Sequence, residues 1–421
     1  RTVHTGLLEY KNVYRPARVI SYDKESGELV LHNYMDFDNL KDYVKISYEL
    51  TQDGLLIGKG KLDEVSVVPH SEGKTNLQVN VPENGKCYLK LIYHLKKEMP
   101  LLEEDYILGF DEIEVSQKDA KCQLAEKWVE KTVTDSELQV SEDDTQIHIK
   151  GREFAYTIDR RTALFTEMKF AGREYLNHPM ELNIWRAPTD NDMYIKSEWK
   201  KAHYDKAYTR AYTTEVVQGK HGVKITSHAS VVAETVQKIL DVTITWKIEA
   251  AGKIDADIAV TKDDEFPDLP RFGVRMFLDK KLSAVRYFGM GPQESYCDKH
   301  QAASHGLYRA DVGDLHEDYI RPQENGSHYD CEYVELNNSR YGIVVSAENA
   351  FSFNASYYTQ EELEEKTHNY ELTESDSVVF CVDYALNGIG SNSCGPVVLE
   401  QYRFDDVLFR FQFTLIPYIK G

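Results

Sequence analysis

The chain has 421 residues, about three times the length of an average domain, which excludes a single small module. Apolar residues make up 42% and charged residues 28%, a globular composition that excludes bulk disorder. The net charge of -21 repels phosphate backbones and anionic lipid, which argues against nucleic acid as a partner, and no apolar run approaches the ~18 residues of a membrane span. The sequence therefore predicts a soluble protein with no nucleic-acid or membrane partner.

The first part of the chain reads as short strands that alternate apolar and polar residues. One alternating strand ends at Asp53-Gly54, a pair typical of hairpin turns. A second alternating stretch, over residues 77–81, is followed by the turn pair Asn84-Gly85 and a further strand. Strands at this spacing predict a β-sandwich over residues 1–117, and the polar stretch 118–130 is predicted to be a linker.

The remainder, residues 131–421, is predicted to be a large antiparallel sheet system. Its clearest hairpin is predicted over residues 240–260, where β-branched and aromatic residues alternate on both sides of a glycine turn. Nearly 300 residues of this kind exceed what one small sandwich needs. Two short helices are predicted, one from Ser197 to Lys206 and one after Thr359, with Glu362 completing a capping box.

The cysteines bear on the compartment. They show no CxxC spacing and no dense clustering, which in a chain of this size is typical of reduced thiols in the cytoplasm. One or two disulfides in a periplasmic protein remain the alternative. The six are Cys87, Cys122, Cys297, Cys331, Cys381 and Cys394.

The densest polar motif is W-R-A-P-T-D-N-D at Trp185–Asp192. Two carboxylates, Asp190 and Asp192, flank Asn191, and such oxygens could hold a hard cation. The preferred interpretation is structural: the carboxylates bind local backbone N–H groups and pair with Arg186, which stabilises a loop.

Two other acids lie beside turns, Glu294 in G-M-G-P-Q-E-S-Y and Glu324 in R-P-Q-E-N-G. Glycoside hydrolysis needs two facing carboxyl groups, about 5–9.5 Å apart, and these two are a candidate pair. The glycine motif lacks the spacing and the lysine of a phosphate loop. A third stretch, 387–396, is a loop of small residues that either approaches a ligand or simply connects strands.

Taken together, the motifs resemble the C-terminal portion of a glycoside hydrolase family 2 β-galactosidase. L-L-E-Y-K-N-V-Y-R-P at Leu7–Pro16 resembles the entry to the family's fourth domain, and W-R-A-P-T-D-N-D resembles a motif of its fifth. The other motifs follow in the family's order over essentially the whole chain. They are G-M-G-P-Q-E-S-Y at 289–296, R-P-Q-E-N-G at 321–326, F-N-A-S-Y-Y-T at 353–359 and G-I-G-S-N-S-C-G-P at 388–396.

The resemblance implies an all-β protein in which an immunoglobulin-like sandwich precedes a large antiparallel supersandwich of the galactose mutarotase-like, small-chain type. In the family both catalytic glutamates lie in a (β/α)₈ barrel before the fourth domain. The resemblance thus implies that this chain begins just past the barrel, at Arg1, and contributes no catalytic residue, metal or cofactor. Mg²⁺ and a monovalent cation are expected in the barrel. The implied partners are that barrel, a galactoside substrate and further copies of the full-length enzyme.

In the family, the last loop of the fifth domain reaches the sugar subsite, and some members carry a tryptophan there. This chain has Cys394 instead, so Ser391 and Asn392 are the expected polar contacts at the rim of the subsite. Arg186, Asp190, Asn191, Asp192, Glu294 and Glu324 are expected in structural motif loops. Two alternatives stay open: an autonomous aldose epimerase using His316 and Glu324, and a carbohydrate-binding module.

Overall fold

The computed structural model describes residues 3–116, 138–235, 238–390 and 393–420. Within these ranges the chain is built mainly from antiparallel strands with a few short helices. It divides into two compact units. The first holds residues 3–116 together with Phe288–Pro292 and His300–Leu307, and the second holds the other described residues.

Two sheets account for the first part of the chain. A three-stranded sheet has the order β1-β2-β5 and a four-stranded sheet the order β4-β3-β6-β7. Their inward-facing side chains form one buried cluster, as in a β-sandwich. The strands are β1 (Ala17–Tyr22), β2 (Glu28–Asn33), β3 (Val44–Gln52), β4 (Leu55–Lys61), β5 (Glu72–Asn76), β6 (Cys87–Leu95) and β7 (Ile107–Ser116); the helices are Thr5–Val13 and Leu40–Tyr43.

The predicted hairpin at Asp53-Gly54 is confirmed. Both residues have positive φ, 48° and 77°, the conformation that a two-residue turn between twisted strands requires. The stretch 77–81, by contrast, is not a strand, and β5 ends before it at Asn76. Leu77 is nevertheless buried, so the alternation reflects packing of a loop on the core rather than sheet pairing.

Two further sheets account for the strands of residues 139–419. The smaller has the order β12-β11-β10-β9-β8. The larger has twelve strands along β13-β18-β23-β22-β24-β17-β16-β15-β14, with β19, β20 and β21 branching from β22 through β21. The strands of the smaller sheet are β8 (Gln139–Glu142), β9 (Gln146–Lys150), β10 (Phe154–Asp159), β11 (Leu164–Phe170) and β12 (Arg173–Glu174).

The strands of the larger sheet are β13 (Leu176–Asn183), β14 (Tyr208–Gln218), β15 (Gly222–Val232), β16 (Leu240–Glu249), β17 (Ile254–Lys262), β18 (Arg271–Asp279), β19 (Ala284–Gly291), β20 (Ser304–Asp311), β21 (Ser327–Asn337), β22 (Tyr341–Ser356), β23 (Ser377–Leu386) and β24 (Leu408–Ile419). The predicted hairpin over 240–260 is confirmed as β16 paired with β17, and Ile244 lies opposite Ile258. Both isoleucines are fully buried, and each such side chain contributes roughly 1.5–3 kcal/mol of burial free energy.

The short helices differ in detail from their predictions. The first runs from Ile195 to Lys201 and ends before His203, whose left-handed φ of 56° interrupts it. A 3₁₀ turn, Tyr204–Lys206, follows. Other 3₁₀ turns are Asp190–Asp192, Val312–Leu315, Asn369–Glu371 and Glu400–Tyr402.

The second helix, Gln360–Glu365, begins after Thr359 as predicted. The Thr359 hydroxyl accepts the amide of Glu362 at 3.1 Å, which confirms the cap. The reciprocal half of the capping box is wrong, because the Glu362 carboxylate accepts the amide of Thr373 at 2.8 Å.

The predicted all-β class, a sandwich followed by a large antiparallel sheet system, is confirmed. The boundaries of the predicted domains at 117 and 131 and the linker 118–130 lie outside the described residues and stay predictions. In the part of the chain that is described, no helix combines the length and the apolar character that crossing a bilayer demands.

Candidate functional site: a clamp on the last glycine loop

A buried ion pair holds the W-R-A-P-T-D-N-D segment. Arg186 is completely buried, and its Nε and Nη2 donate to the two carboxylate oxygens of Asp192 at 3.2 and 2.8 Å. Asp192 also accepts the amide of Thr189 at 2.9 Å. The carboxylate is thereby committed to the protein, which supports the structural interpretation of this motif over the cation site. Among the described residues no group of three acidic, histidine or cysteine side chains is arranged to hold a metal ion.

Arg186 and Asn191 also bind the start of the glycine loop. Arg186 donates from Nη1 to the carbonyl of Asn387 at 2.5 Å and from Nη2 to that of Gly388 at 3.2 Å. The Asn191 side chain donates to the carbonyl of Ile389 at 2.7 Å. Three consecutive carbonyls are therefore held from one side.

Asp298 holds the same stretch by its amides. Its Oδ1 accepts from Ile389 N at 3.0 Å and its Oδ2 from Gly390 N at 2.7 Å. A Cβ on Gly388 or Gly390 would lie only 2.7 or 3.0 Å from Asp298 Oδ2, so glycine at both positions permits the close approach. Arg186, Asn191, Asp192 and Asp298 are called the loop clamp below.

The R-P-Q-E-N-G motif contacts the W-R-A-P-T-D-N-D segment. The amide of Glu324 donates to the carbonyl of Ala187 at 3.0 Å. The side chain of Gln323 accepts the amide of Asp190 at 3.0 Å and donates to the Asp190 carboxylate at 3.3 Å. The motifs around Arg186, Asp298, Glu324 and the glycine loop are thus brought together, although Arg186 and Gly388 are 202 positions apart in sequence.

The carboxylate of Glu294 is fully engaged by the protein. It accepts from Lys299 Nζ at 2.5 Å, from the Tyr319 hydroxyl, and from the amide of Gly326 at 2.8 Å. Burial by itself would raise the pKa of Glu294, but the charge and hydrogen bond of Lys299 and the other two donors bring that pKa below its ordinary value of 4.5. Glu294 is a structural anion.

Glu324 belongs to a second buried charge cluster. Arg271 donates to the Asp383 carboxylate at 3.1 and 2.5 Å and lies 3.3 Å from Glu324 Oε2. Burial raises the pKa of Glu324 and that of Asp383, and Arg271 opposes both shifts. The pKa of Arg271 is itself raised, since its two carboxylates outweigh the cost of burial, so the guanidinium stays charged.

This geometry does not support chemistry at the two glutamates. Glu294 and Glu324 are only 3% and 4% exposed, so a sugar cannot reach either carboxylate. No described hydrogen bond joins His316 to Glu324, and burial lowers the pKa of His316. This burial does not favour the alternatives that require these side chains at an open cleft, a glycosidase pair and an epimerase pair.

Of the three predicted rim residues, the structure describes Cys394. Ser391 and Asn392 lie outside the described residues. Cys394 is exposed, as a rim position requires, and is a free thiol.

Sequence reasoning missed Asp298, Lys299, Arg271 and Asp383. Asp298 follows the G-M-G-P-Q-E-S-Y motif by two residues, and the available signal was the glycines of the loop that it contacts. The sequence alone leaves open whether the glycines make room for a ligand or simply connect strands, whereas at the base of the loop they accommodate Asp298.

The family model for the β-galactosidase small chain matches residues 150–415, and the model for β-galactosidase domain 4 matches residues 29–116. A β-galactosidase from Actinobacillus pleuropneumoniae is 43% identical over 418 residues, covering 99% of this chain and 40% of that protein. One from Staphylococcus xylosus is 31% identical over 421 residues, with 99% and 41% covered.

Among solved structures, a galactose 1-epimerase from Lactobacillus acidophilus aligns with a TM-score of 0.38 and 9% identity, over 69% of this chain and 100% of the epimerase. The chain spans about two-fifths of the length of the curated relatives above. The family model for the β-galactosidase small chain covers more than half of this chain. The chain therefore belongs to the β-galactosidase small-chain family.

Proposed function

We propose that this chain is the non-catalytic C-terminal part of a retaining β-galactosidase that hydrolyses terminal β-galactosides such as lactose. The matched relatives are β-galactosidases that extend well beyond the matched region. Glu294 and Glu324 are buried, and their carboxylates contact Lys299 and Arg271, which supports a scaffold rather than a reaction centre. The acid/base and nucleophile then belong to the barrel that the resemblance implies, as do the Mg²⁺ and monovalent-cation sites.

The observation that carries the proposal is the loop clamp. It holds the backbone of four consecutive residues, 387–390, by their carbonyls and amides. A surface connection that only joined two strands would not need a buried arginine–aspartate pair beneath it. We assign the clamp to presenting the following residues, Ser391, Asn392 and Cys394, at the rim of the sugar subsite in the barrel.

Exposed apolar side chains next to the loop support a partner surface there. Val397 and Leu399, which follow the loop in the sequence, are large and exposed. Neighbouring exposed apolar side chains are typical of an interaction site. We propose the catalytic barrel as its occupant, within a homo-oligomer of the full-length enzyme.

A cytoplasmic location is part of the same proposal. Five cysteines are free thiols in the described part of the chain, which fits a reducing compartment. Cys122 lies outside the described residues.

The decisive experiment measures hydrolysis of a nitrophenyl β-galactoside by this chain alone and by the full-length enzyme. The chain alone should show no turnover. A rate that is abolished by Glu294→Gln or Glu324→Gln, with the fold intact by circular dichroism, would contradict the proposal. In the full-length enzyme Asp298→Ala should raise KM more than it lowers kcat, because the clamp orients a binding loop and touches no reacting atom.

A further inference from the structure

The second unit contains a large cleft away from the loop clamp, and polar and apolar surface line it in about equal shares. Its volume is about 1330 Å³, compared with about 590 and 310 Å³ for two other clefts of that unit. It is lined by the ends of β20, β21 and β24, the beginning of β19, and the turns at Glu153 and Phe170–Ala171. None of the motif residues described above lines it.

A buried carboxylate lies in the lining of this cleft. Glu335 is only 5% exposed, and its Oε1 accepts a hydrogen bond from the Tyr418 hydroxyl. No described residue donates to Oε2. A carboxylate that is largely removed from water gains from a second donor, so Oε2 is an available acceptor for a ligand hydroxyl.

Three charged side chains on one wall are also uncommitted. Arg309 and Asp311 stand at the end of β20, and Asp314 lies in the 3₁₀ turn that follows. In the described ranges their side chains make no hydrogen bond or ion pair with another residue. Donors and acceptors therefore face the cleft without being used to stabilise the fold.

The charge balance indicates the class of ligand. Three cations line the cleft, Arg286, Arg309 and Lys420, against four carboxylates, Glu153, Asp311, Asp314 and Glu335. Because the lining is nearly neutral and the protein carries a net charge of -21, electrostatic attraction does not favour an anionic ligand in this cleft. Sugar hydroxyls both donate and accept, which suits interspersed guanidinium and carboxylate groups, and Phe170 and Tyr418 add aromatic surface.

We propose that this cleft is an accessory binding site for a neutral oligosaccharide. Its volume exceeds the roughly 300–1,000 Å³ of a drug-sized pocket, so it accommodates more than one sugar ring. The proposal does not depend on the rim role of the glycine loop, because no residue of the loop clamp lines the cleft.

Isothermal titration calorimetry on this chain, with β-1,4-linked galactotetraose as the probe, tests the proposal. Arg309→Ala and Asp314→Asn should each weaken binding about tenfold, the effect of losing one good hydrogen bond, and both sites are exposed enough to leave the fold intact. Glu335→Gln should weaken it similarly. Arg210→Ala, an exposed arginine outside the cleft, should leave the affinity unchanged.

Three results would overturn the proposal. The first is no heat of binding at about 10 mM tetrasaccharide, which corresponds to an affinity too weak to matter. The second is binding that Arg309→Ala and Asp314→Asn leave unchanged. The third is tighter binding of an anionic galacturonate tetramer than of the neutral probe.

Discussion

The Arg186–Asp192 pair makes the sharpest prediction. Arg186→Met removes a completely buried guanidinium that makes two hydrogen bonds to Asp192 and two to backbone carbonyls. Asp192 is left as an uncompensated buried charge, a change that typically costs about 3–5 kcal/mol. The carbonyl of Asn387 loses a donor in a buried position, which adds about 1–3 kcal/mol. We therefore expect the free energy of unfolding to fall by at least about 4 kcal/mol.

Urea unfolding followed by tryptophan fluorescence measures this loss. Trp199 is a suitable reporter, since the Arg186 guanidinium lies 5.3 Å from its ring centroid. Arg410→Met is the matched control: Arg410 pairs with Asp257 but its side chain is 61% exposed, so solvent screens the pair and a much smaller loss of stability is expected.

A double-mutant cycle separates pairing from packing. If Arg186 and Asp192 stabilise each other, Arg186→Met combined with Asp192→Asn costs less than the two single changes added together. Strict additivity, or a loss below about 1 kcal/mol for Arg186→Met, would refute the reasoning.

Three further predictions concern other parts of the second unit. Asp298→Ala should lower the fluorescence anisotropy of a fluorophore on Cys394, because two loop amides lose their acceptor and the loop becomes more mobile. Asp298→Asn should retain part of the order. Equal anisotropy in the native chain and both variants would contradict this prediction. The pKa of Glu294 is below 4.5 in the fold, so its anion stabilises the protein above that pH and the contribution is lost as the pH falls through the folded pKa. The stability gap between the native chain and Glu294→Gln, measured by urea unfolding, should therefore narrow on acidification below about pH 4.5, and a gap that widens would be inconsistent with a lowered pKa. Thr359→Ala should cost about 1 kcal/mol through loss of the helix cap, with Thr359→Ser close to the native value in the same measurement.

Local sequence patterns predicted strands and turns well where the structure depends on a few residues that are close together in the sequence. The turn at Asp53-Gly54 depends on two adjacent residues that tolerate positive φ, and the β16–β17 hairpin depends on alternation across one turn. The same reasoning failed at residues 77–81, because alternation records which side chains face a core but not whether a neighbouring strand is available to pair.

The candidate site shows the same limit. The sequence identified Arg186, Asp192, Glu294 and Glu324 as notable polar residues, and it favoured a structural role for the first two. It did not identify Asp298, whose importance comes from contact with two amides more than 90 residues away. Nor did it pair Glu324 with Arg271, since these residues are 53 positions apart and meet only through the sheet.

By itself, the sequence determined the all-β class, several hairpins and the family resemblance, because these depend on residue periodicity, turn preferences and the order of short motifs. Only the tertiary structure decided what the acidic residues do. Whether a carboxylate is a reactant, a ligand or a counter-ion depends on its burial and on the donors around it, and those donors are supplied by distant strands and loops. The roles of two carboxylates therefore depend on their neighbours in space: Lys299 and Tyr319 bind Glu294, and the glycine loop binds Asp298.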